Sequence, residues 1–273
     1  MSLLDYVGLV TMSLPSMVFH GLQFAVRSKI GLVKQEPPGK PQKVADLIWT
    51  LGYTFGPLQI QGKTVIVKHP RSNDLCVISG CSPTDEVLAN VASLGQVTLV
   101  VIPSNGHNAS AAKWKDKIPS ARVSCFRDAQ EFMKKDGKTW DCFNEDVLGE
   151  FNIGFRIPPQ ASFKKDYHEG IFLLPMDQNN TKQMLLFCDL LQDYRSVDAI
   201  NYDTLYRHGA GFFGFGRVRF FRIMFQGDGK VLDKYLNDEI CTLENVSQCM
   251  CLHVGGPTDG ATFLADLKKT LAL

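Results

Sequence analysis

Val97-Thr-Leu-Val-Val-Ile-Pro-Ser-Asn-Gly-His-Asn108 is the stretch on which the fold turns. From Val97 to Ile102 the run has no polar face, which is the pattern of a strand covered on both sides. Pro103 lacks a backbone donor and stops the ladder. Asn105-Gly106 then turns the chain before His107. Layered α/β proteins gather their ligands just past the carboxyl ends of such strands.

Working outward, Thr64-Val-Ile-Val-Lys68 and Leu75-Cys-Val-Ile-Ser79 flank a turn containing Pro70, Ser72, Asn73 and Asp74, which predicts a hairpin. Pro83-Thr-Asp-Glu86 opens a helix through Leu94, with acids in its first turn as the helix dipole favours, and Gly95 ends it. A helix through Trp114 leads to a strand at Ala121–Cys125. Ile171–Leu174, Gln183–Cys188 and Gln248–Leu252 are further short apolar strands. Residues 190–240 read as a long helical region, and a closing helix runs from about Asp259 to Leu271. Strands interleaved with helices argue for a layered α/β fold.

Composition narrows the classes. With 273 residues, 45% hydrophobic and 21% charged, the chain is neither disordered, collagen-like nor a coiled coil. A net charge of +1 gives no bulk field for nucleic acid, and none is expected as a partner. Eight cysteines without a CxxC pair are too sparse for a small disulfide scaffold. Cys249 and Cys251 share one face of a strand, where they either pack as small hydrophobes or offer two thiols to a metal. Glycosylation sequons at Asn108, Asn179 and Asn245 matter only in a secreted protein. The expected setting is a reducing, intracellular compartment, with mitochondrial or membrane-associated placement as alternatives, and not secretion.

The N-terminus stands apart. Residues 1–43 form an apolar arm and a Pro-rich linker, Lys34–Lys43, ahead of a domain at 44–273. Tyr6 to Val26 carries no Asp, Glu, Lys or Arg. Its length would span a bilayer, yet Thr11, Ser13, Pro15, Ser16, His20 and Gln23 dilute its hydrophobicity. A helix docked on the domain or on a protein partner, a membrane-surface segment and a spanning helix all remain open, with docking favoured.

Several motifs are absent or bland. The chain has no GxSxG elbow, no GxxxxGK[ST] loop and no HExxH helix. Gly209-Ala-Gly211-Phe-Phe-Gly214 satisfies GxGxxG, but Val197–His208 before it reads as a helix, so a turn or lid is expected there. Arg217-Val-Arg-Phe-Phe-Arg222 reads as the start of a buried helix whose arginines cover apolar surface with their stems. The informative set is His107, Asp189 and His253, each at or just past the end of an apolar strand. Two imidazoles and a carboxylate are a plausible zinc or iron set.

These stretches, with Ala112-Lys-Trp114, Ile118-Pro-Ser-Ala-Arg-Val123, Met184-Leu-Leu-Phe-Cys-Asp-Leu190 and Leu252-His-Val-Gly-Gly-Pro257, resemble the metallo-β-lactamase superfamily, and most of all its uncharacterised DUF4336 branch. The resemblance covers about residues 60–273. It implies an αββα sandwich of two mixed sheets, here preceded by the N-terminal helical arm. It also implies a metal-binding HxHxDH loop, onto which Asn105-Gly-His107-Asn-Ala109-Ser110 falls. Only the second histidine is present; Ala109 and Ser110 stand where the family has Asp and His. The histidine expected between Leu174 and Asp189 is missing too, with Pro175-Met-Asp-Gln178 in its place.

Three readings follow. The first is a non-catalytic or weakly catalytic scaffold, an accessory subunit that docks through residues 1–33 and needs no cofactor. The second is a single-metal hydrolase of an ester, thioester or phosphoester, using one zinc or iron ion held by His107, Asp189 and His253. A third reading anchors the protein on a membrane surface through residues 6–26. His168 and His208 are expected outside the pocket.

Overall fold

The computed structural model describes residues 39–55, 60–135, 137–164, 167–195, 214–253 and 255–272. The apolar arm, the Val197–His208 segment and residues 209–213 of the Gly-aromatic run lie outside the described residues.

The first sheet contains β1 (Gln42–Ala45), β2 (Ile48–Phe55), β3 (Ile60–Lys68), β4 (Asp74–Ile78), β5 (Gln96–Val101), β6 (Arg122–Cys125) and β7 (Cys142–Phe143), side by side in chain order. The first four run antiparallel, and β4 to β7 run parallel. The expected hairpin is β3–β4, with Val65 opposite Ile78. Residues 42–63 carry no strand or helix in the sequence reading, so β1, β2 and the start of β3 are additions. Gly52 interrupts β2 and weakens its signal; the strand holds because Ile48 and Leu51 are fully buried.

The parallel strands need crossovers, which helices supply. These are α1 (Asp85–Ala92), α2 (Ala111–Lys117) and α3 (Gln130–Lys135), while α4 (Asn144–Val147) follows β7 on the way to the second sheet. Thr84 caps α1, its side chain accepting from the Val87 N–H, and Asp85 and Glu86 complement the dipole. After α1, Gly95 has φ +158°, and a Cβ there would lie 2.1 Å from the Asn73 carbonyl oxygen. Only glycine fits that approach.

The second sheet contains β8 (Gly154–Arg156), β9 (Ile171–Pro175), β10 (Gln183–Phe187), β13 (Val246–Cys251) and β14 (Thr258–Asp259), in the order β14-β13-β10-β9-β8. Between β10 and β13 a small pair, β11 (Gln192–Asp193) and β12 (Phe215–Gly216), is followed by α5 (Arg219–Met224) and α6 (Gly229–Tyr235). The helical expectation for 190–240 therefore fails at its start. Leu190, Leu191 and Tyr194 are buried, and Asp193 ion-pairs with Arg195, whose guanidinium lies over the Phe215 ring. Tertiary partners hold this stretch extended against its helical propensity. The closing helix is α7 (Gly260–Leu271), with the Asp259 side chain accepting from the Thr262 N–H.

Alternation explains why the strands of the second sheet are apolar throughout. Phe172, Leu174, Met184, Leu186 and Met250 join the core shared with the first sheet. Ile171, Leu173, Leu185, Phe187, Cys249 and Cys251 face the other way, into a second core with Leu232, Leu236, Phe263 and Leu267. Helix, sheet, sheet and helix thus stack in the expected αββα order. Cys249 and Cys251 are buried in the second core, and burial pushes both thiols up. They pack; among the described residues they belong to no metal-binding group.

Trp114 of α2 is fully buried and its Nε1 donates to the Cys81 carbonyl at 2.8 Å. Trp114→Ala is expected to lower the unfolding free energy by about 3–5 kcal/mol, read from urea denaturation, and a loss under about 1 kcal/mol would contradict this packing.

Candidate metal centre

Strand register builds the site. β10 and β13 pair in parallel with Phe187 opposite Cys251. Asp189 and His253 each lie two residues past those ends, so they emerge level at the same edge. The Leu252 N–H donates to the Phe187 carbonyl at 2.9 Å and holds this register past the strands. His107 arrives from the first sheet, on a 3-10 turn, Asn105–His107, after β5.

Backbone pairing ties this turn to the second sheet. Ser104 bridges Glu169, the Asn105 N–H donates to the His168 carbonyl at 3.2 Å, and the Gly170 N–H donates to the Pro103 carbonyl at 3.1 Å. A Cβ on Gly106 would lie 3.0 Å from Asp189 Oδ2, so the turn comes as close to the carboxylate as a glycine allows.

Three ligand-type atoms meet there. His253 Nε2 lies 2.9 Å from Asp189 Oδ1, His107 Nε2 lies 3.3 Å from the same oxygen, and the two Nε2 atoms are 3.0 Å apart. The side chains are only 7, 16 and 8% exposed for His253, Asp189 and His107. His253 Nδ1 faces the Gln61 carbonyl at 3.1 Å, so that nitrogen carries the proton and a neutral ring turns a lone pair inward at Nε2. His107 Nδ1 lies 2.7 Å from Ser79 Oγ.

The donor set fits a cation. With both rings neutral, the single proton His107 can turn inward serves its own two contacts at best. The 2.9 Å approach of His253 to Asp189 then sets lone pair against lone pair. A positive charge at the centre, from a bound cation or from a second proton on an imidazole that then pairs with Asp189, removes that conflict. Zinc bound tetrahedrally to nitrogen and oxygen at about 2.0–2.1 Å has ligand atoms about 3.3 Å apart. The observed triangle is close to that, and three protein ligands leave a fourth position open.

Behind the triangle is an outer set of residues that carries no signal in the sequence. Asp189 Oδ2 accepts from the hydroxyls of Tyr167 at 3.2 Å and Ser104 at 3.4 Å. Glu169 is fully buried, and its Oε1 accepts from the Cys188 and Leu190 N–H groups at 3.1 and 2.9 Å. Burial would raise the Asp189 pKa, but the imidazoles of His107 and His253 hold it well below the usual carboxylate range. Burial, with the Asp189 charge behind it, pushes Glu169 up to about 8. Tyr167 is likewise raised, by burial first and then by the two carboxylates. A glutamate just ahead of a strand is ordinarily solvated, so Glu169 was not legible in the sequence.

The three expected residues, His107, Asp189 and His253, are thus the ones brought together. Among the described residues, no other His, Cys, Asp or Glu set converges in this way. His168 is half-buried and is not one of the three, while His208 lies outside the described residues. Asn108, one of the sequon asparagines, is buried and its amide donates to the Asn105 carbonyl at 2.8 Å. Among the described residues no helix is long and apolar enough to cross a membrane.

The class of fold is now defined: the chain has the metallo-β-lactamase fold. Solved structures similar to it include DIM-1 metallo-β-lactamase exposed to ceftazidime, 14% identical, at a TM-score of 0.56 over 88% of this chain and 99% of that one. FIM-1 from Pseudomonas aeruginosa in its mono-zinc form is 10% identical, at a TM-score of 0.55 over 88% and 97%. A metallo-β-lactamase from Pontibacter korlensis is 13% identical, at 0.53 over 88% and 99%. No family model and no curated protein matches the sequence.

The proton on Glu169 gives a pH test. Its folded pKa lies above the ordinary carboxyl value of 4.5, so between 4.5 and about 8 the folded protein binds a proton that the unfolded chain has lost. Stability therefore falls as pH rises through that window. Glu169→Gln keeps the shape without the titration. Urea denaturation from pH 5 to 8 is expected to show the variant gaining steadily on the parent, and parallel curves would contradict a neutral Glu169.

Proposed function

We propose that the protein holds one divalent transition-metal ion, zinc or iron, through His107, Asp189 and His253, and hydrolyses an ester, thioester or phosphoester. The observation that carries this reading is the convergence of two imidazole nitrogens and one carboxylate oxygen at 2.9, 3.0 and 3.3 Å. A bound ion would supply Lewis acidity and make water acidic enough to act as a nucleophile near neutral pH. The chain's own residues do the rest. Gln61 and Ser79 aim the two rings, Tyr167 and Ser104 occupy Asp189 Oδ2, and the low exposure of all three side chains excludes bulk water.

A single ion is favoured over two by the loop after β5. Asn105, Ala109 and Ser110 occupy the positions that would complete a family-like double site, and Ala109 has no ligand atom. Kinship with the DUF4336 branch is supported by motif order alone. The competing reading, an accessory subunit docking through residues 1–33, is supported by those replaced ligands and by the uncharged stretch from Tyr6 to Val26.

Metal content of untagged, chelator-free protein separates the two. About one zinc or iron per chain is expected, falling about 10-fold or more in His107→Ala, Asp189→Ala and His253→Ala, each of which removes one of the few ligands that make such a site. The loaded parent should hydrolyse at least one of a panel of activated ester, thioester and phosphoester substrates. No bound metal in the parent would overturn the hydrolase and leave the accessory subunit as the better account.

A further inference from the structure

Glu169 is tied to both halves of the candidate centre without touching the place where an ion would sit. Its Oε1 accepts from the Cys188 and Leu190 N–H groups at 3.1 and 2.9 Å, the two peptide groups that flank Asp189. Its own backbone bridges Ser104, in the segment leading to His107. Its Oε2 lies 2.8 Å from the Tyr167 hydroxyl, which is also 3.2 Å from Asp189 Oδ2.

A count of protons orders this network. The phenol has one proton and two carboxylate neighbours, so it can donate to only one of them. If Glu169 is the neutral acid, every position is used once. Its carbonyl oxygen takes the two N–H bonds, its hydroxyl donates to Tyr167, and Tyr167 donates to Asp189 Oδ2. The full burial of Glu169 favours the same neutral form. Asp189 is then left with Oδ1 alone facing the imidazoles.

We propose that Glu169 is the positioning residue of the centre, which fixes the Asp189 turn through two N–H bonds and, through Tyr167, dedicates Oδ1 to the ion. This rests on the reading of His107, Asp189 and His253 as an ion site. Glutamine reproduces the neutral acid: its oxygen accepts the two N–H bonds and its NH₂ donates to Tyr167. Alanine leaves both N–H groups buried and unpaired.

The test uses the full chain as parent, Glu169→Gln, Glu169→Ala and Tyr167→Phe, with circular dichroism and thermal melts to establish folding. Zinc affinity is read by competition with a chromophoric chelator, and ligand geometry by the visible spectrum of the cobalt-substituted protein. Glu169→Gln should keep the parent's affinity and spectrum, while folded Glu169→Ala should bind zinc about 10–100-fold more weakly, with an altered cobalt spectrum. Tyr167→Phe should show a smaller loss in the same direction. Parent-like binding by folded Glu169→Ala, or a loss in Glu169→Gln as large as in Glu169→Ala, would overturn the proposal. Should Glu169→Ala fail to fold, Tyr167→Phe decides, and parent-like affinity and spectrum there would overturn it. A parent that takes up neither zinc nor cobalt would instead overturn the ion site itself, a failure distinct because every protein in the set would show it.

Discussion

The parallel pairing of β10 with β13 is the constraint on which the site depends. It brings two carboxyl ends to the same level, so a carboxylate and an imidazole two residues further on must emerge side by side. A slip of one residue would turn every side chain of one strand to the other core. That slip is opposed by side chains fitted to two different cores, Leu186 and Met250 into one, Phe187 and Cys251 into the other. Packing that stabilises the fold therefore also sets the His253–Asp189 distance.

The third side chain comes from the other sheet, and its placement needs a second device. Residues 103–105 and 168–170 pair across the gap between sheets, and glycine at position 106 lets the turn approach Asp189. Glu169 stands at this junction as a buried acid. Leaving its two N–H partners unpaired would cost roughly 1–3 kcal/mol each. The site and the bridge between the sheets are thus one polar network enclosed by two apolar cores.

The sequence showed those parts whose physics is local. Runs such as Val97–Ile102 and Met184–Phe187 announce doubly covered strands, and His107, Asp189 and His253 could be picked out because each follows such a run. β2 was illegible because Gly52 breaks its apolar pattern. Leu190–Tyr194 was misread as helical because its extended state depends on pairing with the Phe215 strand and on the second core, both remote in sequence. Glu169 and Tyr167 were missed for the same reason. Nothing beside them in the sequence foretells a buried acid hydrogen-bonded to residues about twenty positions away.

The central claim is that two imidazoles and one carboxylate, and no thiol, hold a single ion. X-ray absorption at the metal edge of the zinc-loaded full chain addresses it most directly. The account predicts a first shell of nitrogen and oxygen at about 2.0–2.1 Å with the scattering signature of two imidazoles. A sulfur shell at about 2.3 Å would place the metal on cysteines instead and contradict it.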